Sequence, residues 1–181
     1  DKTKVYGAAN PALTVNYTGL KNADSAPATP PAAACTADAA SAVGTYPITL
    51  TGGSDPNYTL TLTSGTLTVT PKLLTVTAED KWRLYGDANP PFTVSYEGFV
   101  NGDGAVDLDT RPAATCAATP ASAAGTYPIV PAGGLDTNYA FQYATGTLTV
   151  GPAPLACRAD DKAKVYGAAN PALTVSYTGL K

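Results

Sequence analysis

The chain has 181 residues with no His, no Met and three Cys, and its 11 Lys and Arg stand against 14 Asp and Glu for a net charge of −3. Scattered cations without a basic stripe exclude a phosphate-tracking nucleic-acid surface, and the missing His removes the commonest general base and metal ligand. Abundant Thr, Gly and Pro with sparse Glu, Lys and Arg disfavour long helices and favour strands joined by turns, so the expected fold is all-β.

In chain order, strands are expected at Leu13 to Tyr17, at Tyr46 to Leu50, and at Thr59 to Thr63 followed by Thr66 to Thr70. The last two alternate with period two around Ser64-Gly65, the signature of a β-hairpin, with Leu60, Leu62, Leu67 and Val69 facing a core. Strands follow at Leu73 to Thr77, Phe92 to Tyr96 and Tyr127 to Val130; a second hairpin pattern carries Tyr139, Phe141, Tyr143, Leu148 and Val150 inward. The Ala- and Pro-rich stretches Ser25 to Ala42 and Arg111 to Ala124 contain too many prolines for a helix and read as extended edge strands between loops, each holding one Cys.

These elements recur. "KVYG" stands at Lys4 and again at Lys164, with "RLYG" at Arg83; "GTYPI" stands at Gly44 and Gly125, and "GTLTV" at Gly65 and Gly146. The unit is about 80 residues long, which is the period of a repeat architecture rather than of a single active site. Asp1 to Lys21 matches Asp161 to Lys181 except at Thr3/Ala163 and Asn16/Ser176, so a pair of units forms a larger period. "PKLLTVTAEDK" and "PAPLACRADDK" align just ahead of the second and third copies, so each unit opens with a strand that the first lacks. The expected organisation is 1–71 as a first unit without its opening strand, 72–152 as a complete unit, and 153–181 as the start of a third. The absence of Met fits a segment of a longer array, with any secretion or anchoring signal outside it.

The Tyr-Gly phrase, Tyr6-Gly7 with Asn10-Pro11, Tyr85-Gly86 with Asn89-Pro90, and Tyr166-Gly167 with Asn170-Pro171, has turn chemistry. Gly permits positive φ, Asn-Pro favours turn initiation, and Tyr supplies an amphipathic anchor. "YGAANPALTVNYTGL", "GTYPITLTGG", "NYTLTLTSGTLTVTP" and "LLTVTAED" together resemble the MBG-type repeats with the Tyr-Gly signature, found in tandem in very large bacterial surface and adhesin-like proteins. The resemblance covers essentially the whole chain and implies a secreted, elongated, mostly β array of small sandwich or β-grasp-like units. The Cys residues and the Ala/Pro-rich middle segment depart from it.

Cys35 and Cys116 occupy equivalent positions and Cys157 lies in the opening strand of the third unit, so these are the disulfide candidates, within or between units and between chains. No C-x-x-C pair supports a metal. Asn101-Gly-Asp103-Gly followed by Asp107 and Asp109 hints at a calcium loop, but the spacing fails and a solvated turn is expected. Asn16-Tyr-Thr18 and Asn57-Tyr-Thr59 fit the N-glycosylation acceptor pattern. With no phosphate-binding loop, nucleophile elbow or paired acids, the expectation is no enzyme, no cofactor and no metal.

The function expected is therefore structural: a repeat segment of an extracellular or cell-surface adhesin stalk or fibre, giving length and stiffness. Its partners would be other repeats of the same chain and identical chains in a fibre, with no nucleic acid and no membrane insertion. The alternative is a module that binds carbohydrate or a host glycoprotein through exposed Tyr, Trp82 and Asn. A separate subunit could accept a strand from another chain, but the near-duplicate of residues 1–21 in the tail would compete with the acceptor's own segment, which favours one continuous polypeptide.

Overall fold

The computed structural model describes residues 1–181. The chain is all-β, as expected, with no helix. Its strands are β1 (Lys2–Val5), β2 (Ala32–Cys35), β3 (Gly44–Thr51), β4 (Gly65–Thr70), β5 (Lys72–Ala78), β6 (Lys81–Leu84), β7 (Val94–Glu97), β8 (Ala113–Cys116), β9 (Gly125–Ala132), β10 (Tyr139–Ala144), β11 (Gly146–Gly151), β12 (Ala156–Ala159) and β13 (Val175–Thr178).

Two four-stranded sheets have the same topology, β1-β4-β3-β2 and β6-β11-β9-β8. In each, the strand that leads into the Tyr-Gly phrase lies parallel to the strand of the "GTLTV" phrase, pairing Lys4 with Val69 in one sheet and Arg83 with Val150 in the other. The "GTYPI" strand then pairs antiparallel on the other side, setting Tyr46 against Leu67 and Tyr127 against Leu148. The Cys-bearing strands lie at the edge as expected, Ala32–Cys35 on β3 and Ala113–Cys116 on β9. A three-stranded sheet, β10-β5-β7, and the antiparallel pair β12-β13 complete the set.

The expected hairpins do not form. β4 pairs with β3 and β1, and residues 59–63 are not a strand. The second repeat gives the reason: β10 lies beside β5 while β11 lies between β6 and β9, so Thr145 is the point at which the chain passes from one sheet to another. Period-two alternation fixes which side chains face inward but not which strand lies alongside. Leu67, Val69, Leu148 and Val150 are buried as expected, whereas Leu62 and Tyr143 are exposed. The strand expected at 13–17 is also absent, although the aligned segments form β7 and β13.

Spatially the chain divides into two compact units. The first holds residues 1–76, 96–112 and 133–142, and the second holds 77–95, 113–132 and 143–181. The first contains two cores, one of Tyr6, Val69, Leu74, Leu108 and Tyr139 and one of Ala37, Ile48 and Leu67. The second contains the core of Ala78, Ala118, Ile129, Leu148 and Val150. Position by position, Ala37, Ile48 and Leu67 align with Ala118, Ile129 and Leu148, so the repeat of sequence is a repeat of packing.

Candidate functional site

All three Tyr-Gly phrases build the same turn. Gly7, Gly86 and Gly167 have φ of 83°, 86° and 81°. The N–H of Ala8 donates to the Val5 carbonyl at 3.0 Å, that of Asp87 to Leu84 at 3.2 Å, and that of Ala168 to Val165 at 3.0 Å. Positive φ at the third residue of such a turn is what restricts that position to Gly.

Side chains of the phrase then fasten this turn to the loop that follows the Cys strand. In the first repeat the Gly7 N–H donates to the Ala39 carbonyl at 3.1 Å, the Asn10 amide donates to Ala37, and the Lys4 ammonium donates to the carbonyls of Asp38 and Ala8. In the second, Gly86 donates to Pro120 at 3.1 Å and Asn89 to Ala118 at 2.6 Å. Arg83 donates to the Thr119 and Leu84 carbonyls and, through Nε, to Asn89 Oδ1 at 2.7 Å. Lys4 and Arg83 are buried, and carbonyl acceptors offset the cost of removing their charge from water. The Ala/Pro-rich stretch therefore supplies a set of acceptor carbonyls. The cation of the phrase was not singled out from sequence, although its recurrence at Lys4, Arg83 and Lys164 was a signal.

The Tyr6 ring is buried and packs in a T-shaped arrangement with the Tyr139 ring at a centroid distance of 5.6 Å, and Phe99 makes a second T-shaped contact with Tyr139 at 5.3 Å. Both phenols donate to one oxygen of Asp103: Tyr6 at 3.0 Å and Tyr139 at 2.7 Å. Asp103 thus belongs to a three-residue clasp, while its N–H also closes the expected turn onto the Val100 carbonyl at 2.9 Å, with Asn101 and Gly102 exposed. Asp107 closes the next turn, accepting the Gly104 N–H at 2.8 Å. The Val100 N–H donates to the Tyr139 oxygen at 3.1 Å, and Asn101 reaches the Ala39 carbonyl at 3.2 Å.

Burial and the Asp103 carboxylate push the Tyr139 phenol well above its ordinary range, although the Val100 N–H opposes them. For Tyr6 the Asn101 side chain acts to lower the value, but burial and Asp103 together outweigh it and the phenol is raised. Each phenol is thereby held as a neutral donor. Tyr139 was expected to face inward, but its bond to Asp103 was not legible because the two lie on different segments of the chain.

The remaining signature residues lie as follows. Tyr85 is half-buried against the core of Ala78, Ile129 and Leu148, and Asn89 and Pro90 are half-buried beside it. Pro11 is half-buried, while Tyr166, Asn170 and Pro171 are exposed. The three cysteines are unpaired within this chain. Cys35 and Cys116 pack partly buried against the cores of their own sheets, acting as small apolar groups, and Cys157 is exposed. No group of His, Cys, Asp and Glu is arranged to hold a metal ion, and no helix is long and apolar enough to cross a membrane.

The alignment of phrase with following segment occurs twice. A Cβ added at Gly7 would lie 2.4 Å from the Val100 side chain, and one at Gly86 would lie 2.6 Å from Lys181. Val100 and Lys181 are aligned residues, each two places after the Gly that ends a "Y-x-G" or "Y-T-G" run. In both cases the flat face of the turn glycine receives the next repeat.

A family model described as the MBG domain (YGX type) matches residues 1–68, 74–149 and 155–181. No curated protein matches the chain.

Proposed function

The chain belongs to the MBG domain family of YGX type, and on that premise we propose that it is a structural segment of a large bacterial surface protein, the stalk of an adhesin or the body of an extracellular fibre. The observation that carries this reading is the recurrence of one junction: Gly7 beneath Val100 and Gly86 beneath Lys181. An interaction that each repeat makes with its successor propagates along a series, and stability then accumulates from neighbour terms without a single large core. In this reading the chain is one continuous polypeptide whose partners are its own repeats and neighbouring identical chains. It acts mechanically, without a cofactor or a catalytic group. The exposed Cys157 thiol is the group placed to cross-link neighbouring chains outside the cell.

The burial of Tyr6 and Tyr139 takes these two rings out of sugar recognition, because a stacking tyrosine must offer its ring face to solvent, whereas Trp82 of the alternative reading is exposed. Electron microscopy and small-angle scattering of chains with increasing numbers of repeats test the proposal. A maximum dimension that rises linearly with repeat number is expected, with surface labelling of intact source cells by an antibody to this segment. Compaction to a globule, or labelling only after lysis, overturns it. A non-reducing gel of native material reports the contribution of Cys157, and saturable binding on a glycan array would favour the sugar-binding alternative.

A further inference from the structure

The second repeat carries the single tryptophan of the chain, and its sheet holds that residue outward. Trp82 lies on β6, an edge strand of the sheet β6-β11-β9-β8, and is 60% exposed. The ladder sets Trp82 beside Thr149 and Thr149 beside Thr126, so the three form one row across three strands. Thr147 and Pro128 form the next row; these five residues are exposed, while Arg83, Leu148, Val150 and Ile129 at the alternate positions are buried. The outer face therefore presents one large ring followed by hydroxyls, and none of the outward side chains of its four strands is charged.

The ring has a seat on this face. A Cβ added at Gly151 would lie 3.3 Å from both Cζ2 and Nε1 of the Trp82 indole, so the ring leans across a position that has no side chain. The backbone does not demand glycine there, because Gly151 ends β11 without the positive φ of Gly86 or Gly167. Glycine in a strand gives room for a close approach, and here the approaching group is the indole. In the first repeat the aligned residues are Thr3 and Thr70: with a small side chain at the first position, the second is β-branched. Thr3 is exposed although a complete repeat follows it, and Trp82 has a repeat before it. The exposure of Trp82 thus belongs to the outer face of the sheet and not to the ends of the chain.

We propose that this face binds an uncharged glycan chain, with the apolar C–H face of one pyranose stacked on the Trp82 indole and the adjoining sugar hydrogen-bonded by Thr149 and Thr126. Tryptophan offers a large, rigid apolar surface to such a ring. The row from Trp82 to Thr126 spans two strand spacings, about 10 Å, which is room for two adjoining sugars. Threonine hydroxyls donate and accept, as sugar hydroxyls do. The lack of charge selects the class of ligand: a sulfated or carboxylated chain finds no cation on this face. A nucleic-acid base stacks on such a ring too, but its phosphates need the cations that are missing. A tryptophan that anchors a protein partner sits at the centre of a well-packed patch, whereas Trp82 stands on an edge strand at the end of a row of hydroxyls. The site lies apart from the turn at Gly86 that meets Lys181 and does not rest on the stalk or fibre reading. Compaction in scattering leaves it standing, and a chain that elongates without binding sugar loses only this site.

Because Trp82 is the only tryptophan, its fluorescence reports the site directly. The full chain is titrated with neutral hexasaccharides of glucose, mannose, galactose and N-acetylglucosamine, and with a heparin hexasaccharide as the charged control. A saturable shift of Trp82 emission is expected with at least one neutral sugar, at one site per chain, and none with heparin. Trp82→Thr, which matches the aligned Thr3, should abolish the binding read by calorimetry and leave the melting temperature unchanged. Gly151→Thr, which matches Thr70, keeps the fluorophore but fills its seat, and should weaken binding about tenfold. Thr149→Val keeps the shape of an exposed residue while removing its hydroxyl, and should weaken binding about three- to tenfold; it serves as the second variant if Gly151→Thr lowers the melting temperature. Trp82 emission that none of the four neutral sugars changes overturns the proposal. So does a Trp82→Thr chain that binds as the parent does, or a preference for heparin.

Discussion

The Tyr139 hydroxyl donates to Asp103 Oδ2 at 2.7 Å, and that same oxygen accepts the Tyr6 hydroxyl at 3.0 Å. One carboxylate oxygen thus holds the Tyr of the Tyr-Gly phrase to an aromatic residue and an acidic loop of the following repeat. Hydrogen bonds to a charged acceptor contribute about 1.5–3 kcal/mol each. Tyr139→Phe is expected to lower the unfolding free energy by about 2 kcal/mol, read from urea denaturation. Asp103→Ala should cost more, on the order of 3 kcal/mol, because it leaves two phenols without their acceptor. An Asp103→Ala protein as stable as the parent would show that the clasp contributes nothing.

Alkaline pH should weaken the same cluster. The folded-state values of Tyr6 and Tyr139 are raised above the ordinary value of about 10. The folded state therefore holds these protons more tightly than the unfolded chain, so the contribution is complete below about pH 10 and is lost as pH rises through the folded values. Melting temperature measured against pH, with phenolate absorbance alongside, should fall in that window. The Tyr6→Phe, Tyr139→Phe double variant should show a shallower decline. Some slope should persist from Tyr58, whose value the Lys21 backbone lowers but the Asp24 carboxylate and burial raise on balance.

Gly7 and Gly19 separate backbone strain from crowding. Both have positive φ, 83° and 90°. An Ala side chain at Gly7 would strike Val100 at 2.4 Å, whereas at Gly19 it meets open space. Gly19→Ala should cost about 1 kcal/mol from φ alone, and Gly7→Ala about 2–4 kcal/mol from φ plus overpacking. Equal costs in chemical denaturation would mean that the Gly7–Val100 junction yields without resistance.

Asn89 joins the turn to its loop twice, donating to Ala118 O at 2.6 Å and accepting from Arg83 Nε at 2.7 Å. Asn89→Ala should cost about 2 kcal/mol, since it strips a buried guanidinium of one partner and a carbonyl of its donor. Asn10→Ala, where the equivalent residue is exposed and bonds to Ala37 alone among side-chain contacts, should cost less. Hydrogen exchange at residues 117–120 should quicken in Asn89→Ala. Unchanged protection there would remove the fastening role.

Much of the chain was legible in its letters. Repetition of whole phrases gave the repeat type, and the alternation in "GTLTV" gave buried Leu67, Val69, Leu148 and Val150. Gly before a small or acidic residue in "YGA" and "YGD" gave the turn, because positive φ at Gly7, Gly86 and Gly167 is a local requirement. Such properties depend on a residue and its near neighbours, and they are the same wherever the segment lies.

Pairing was different. The hairpin read into Thr59–Thr70 failed because alternation looks the same whether the next strand folds back or crosses to another sheet. "VSYT" at Val175 forms a strand against β12, a pairing that no feature of its own four residues specifies. The Asp103 carboxylate was read as part of a turn and became the acceptor of two tyrosines more than 30 residues away. Local sequence determined the repeat, the turns and the inward faces of this protein; which neighbour each strand and each carboxylate acquired was decided by tertiary structure, because hydrogen-bond partners in a sheet are set by spatial adjacency rather than by the residues that make the bonds.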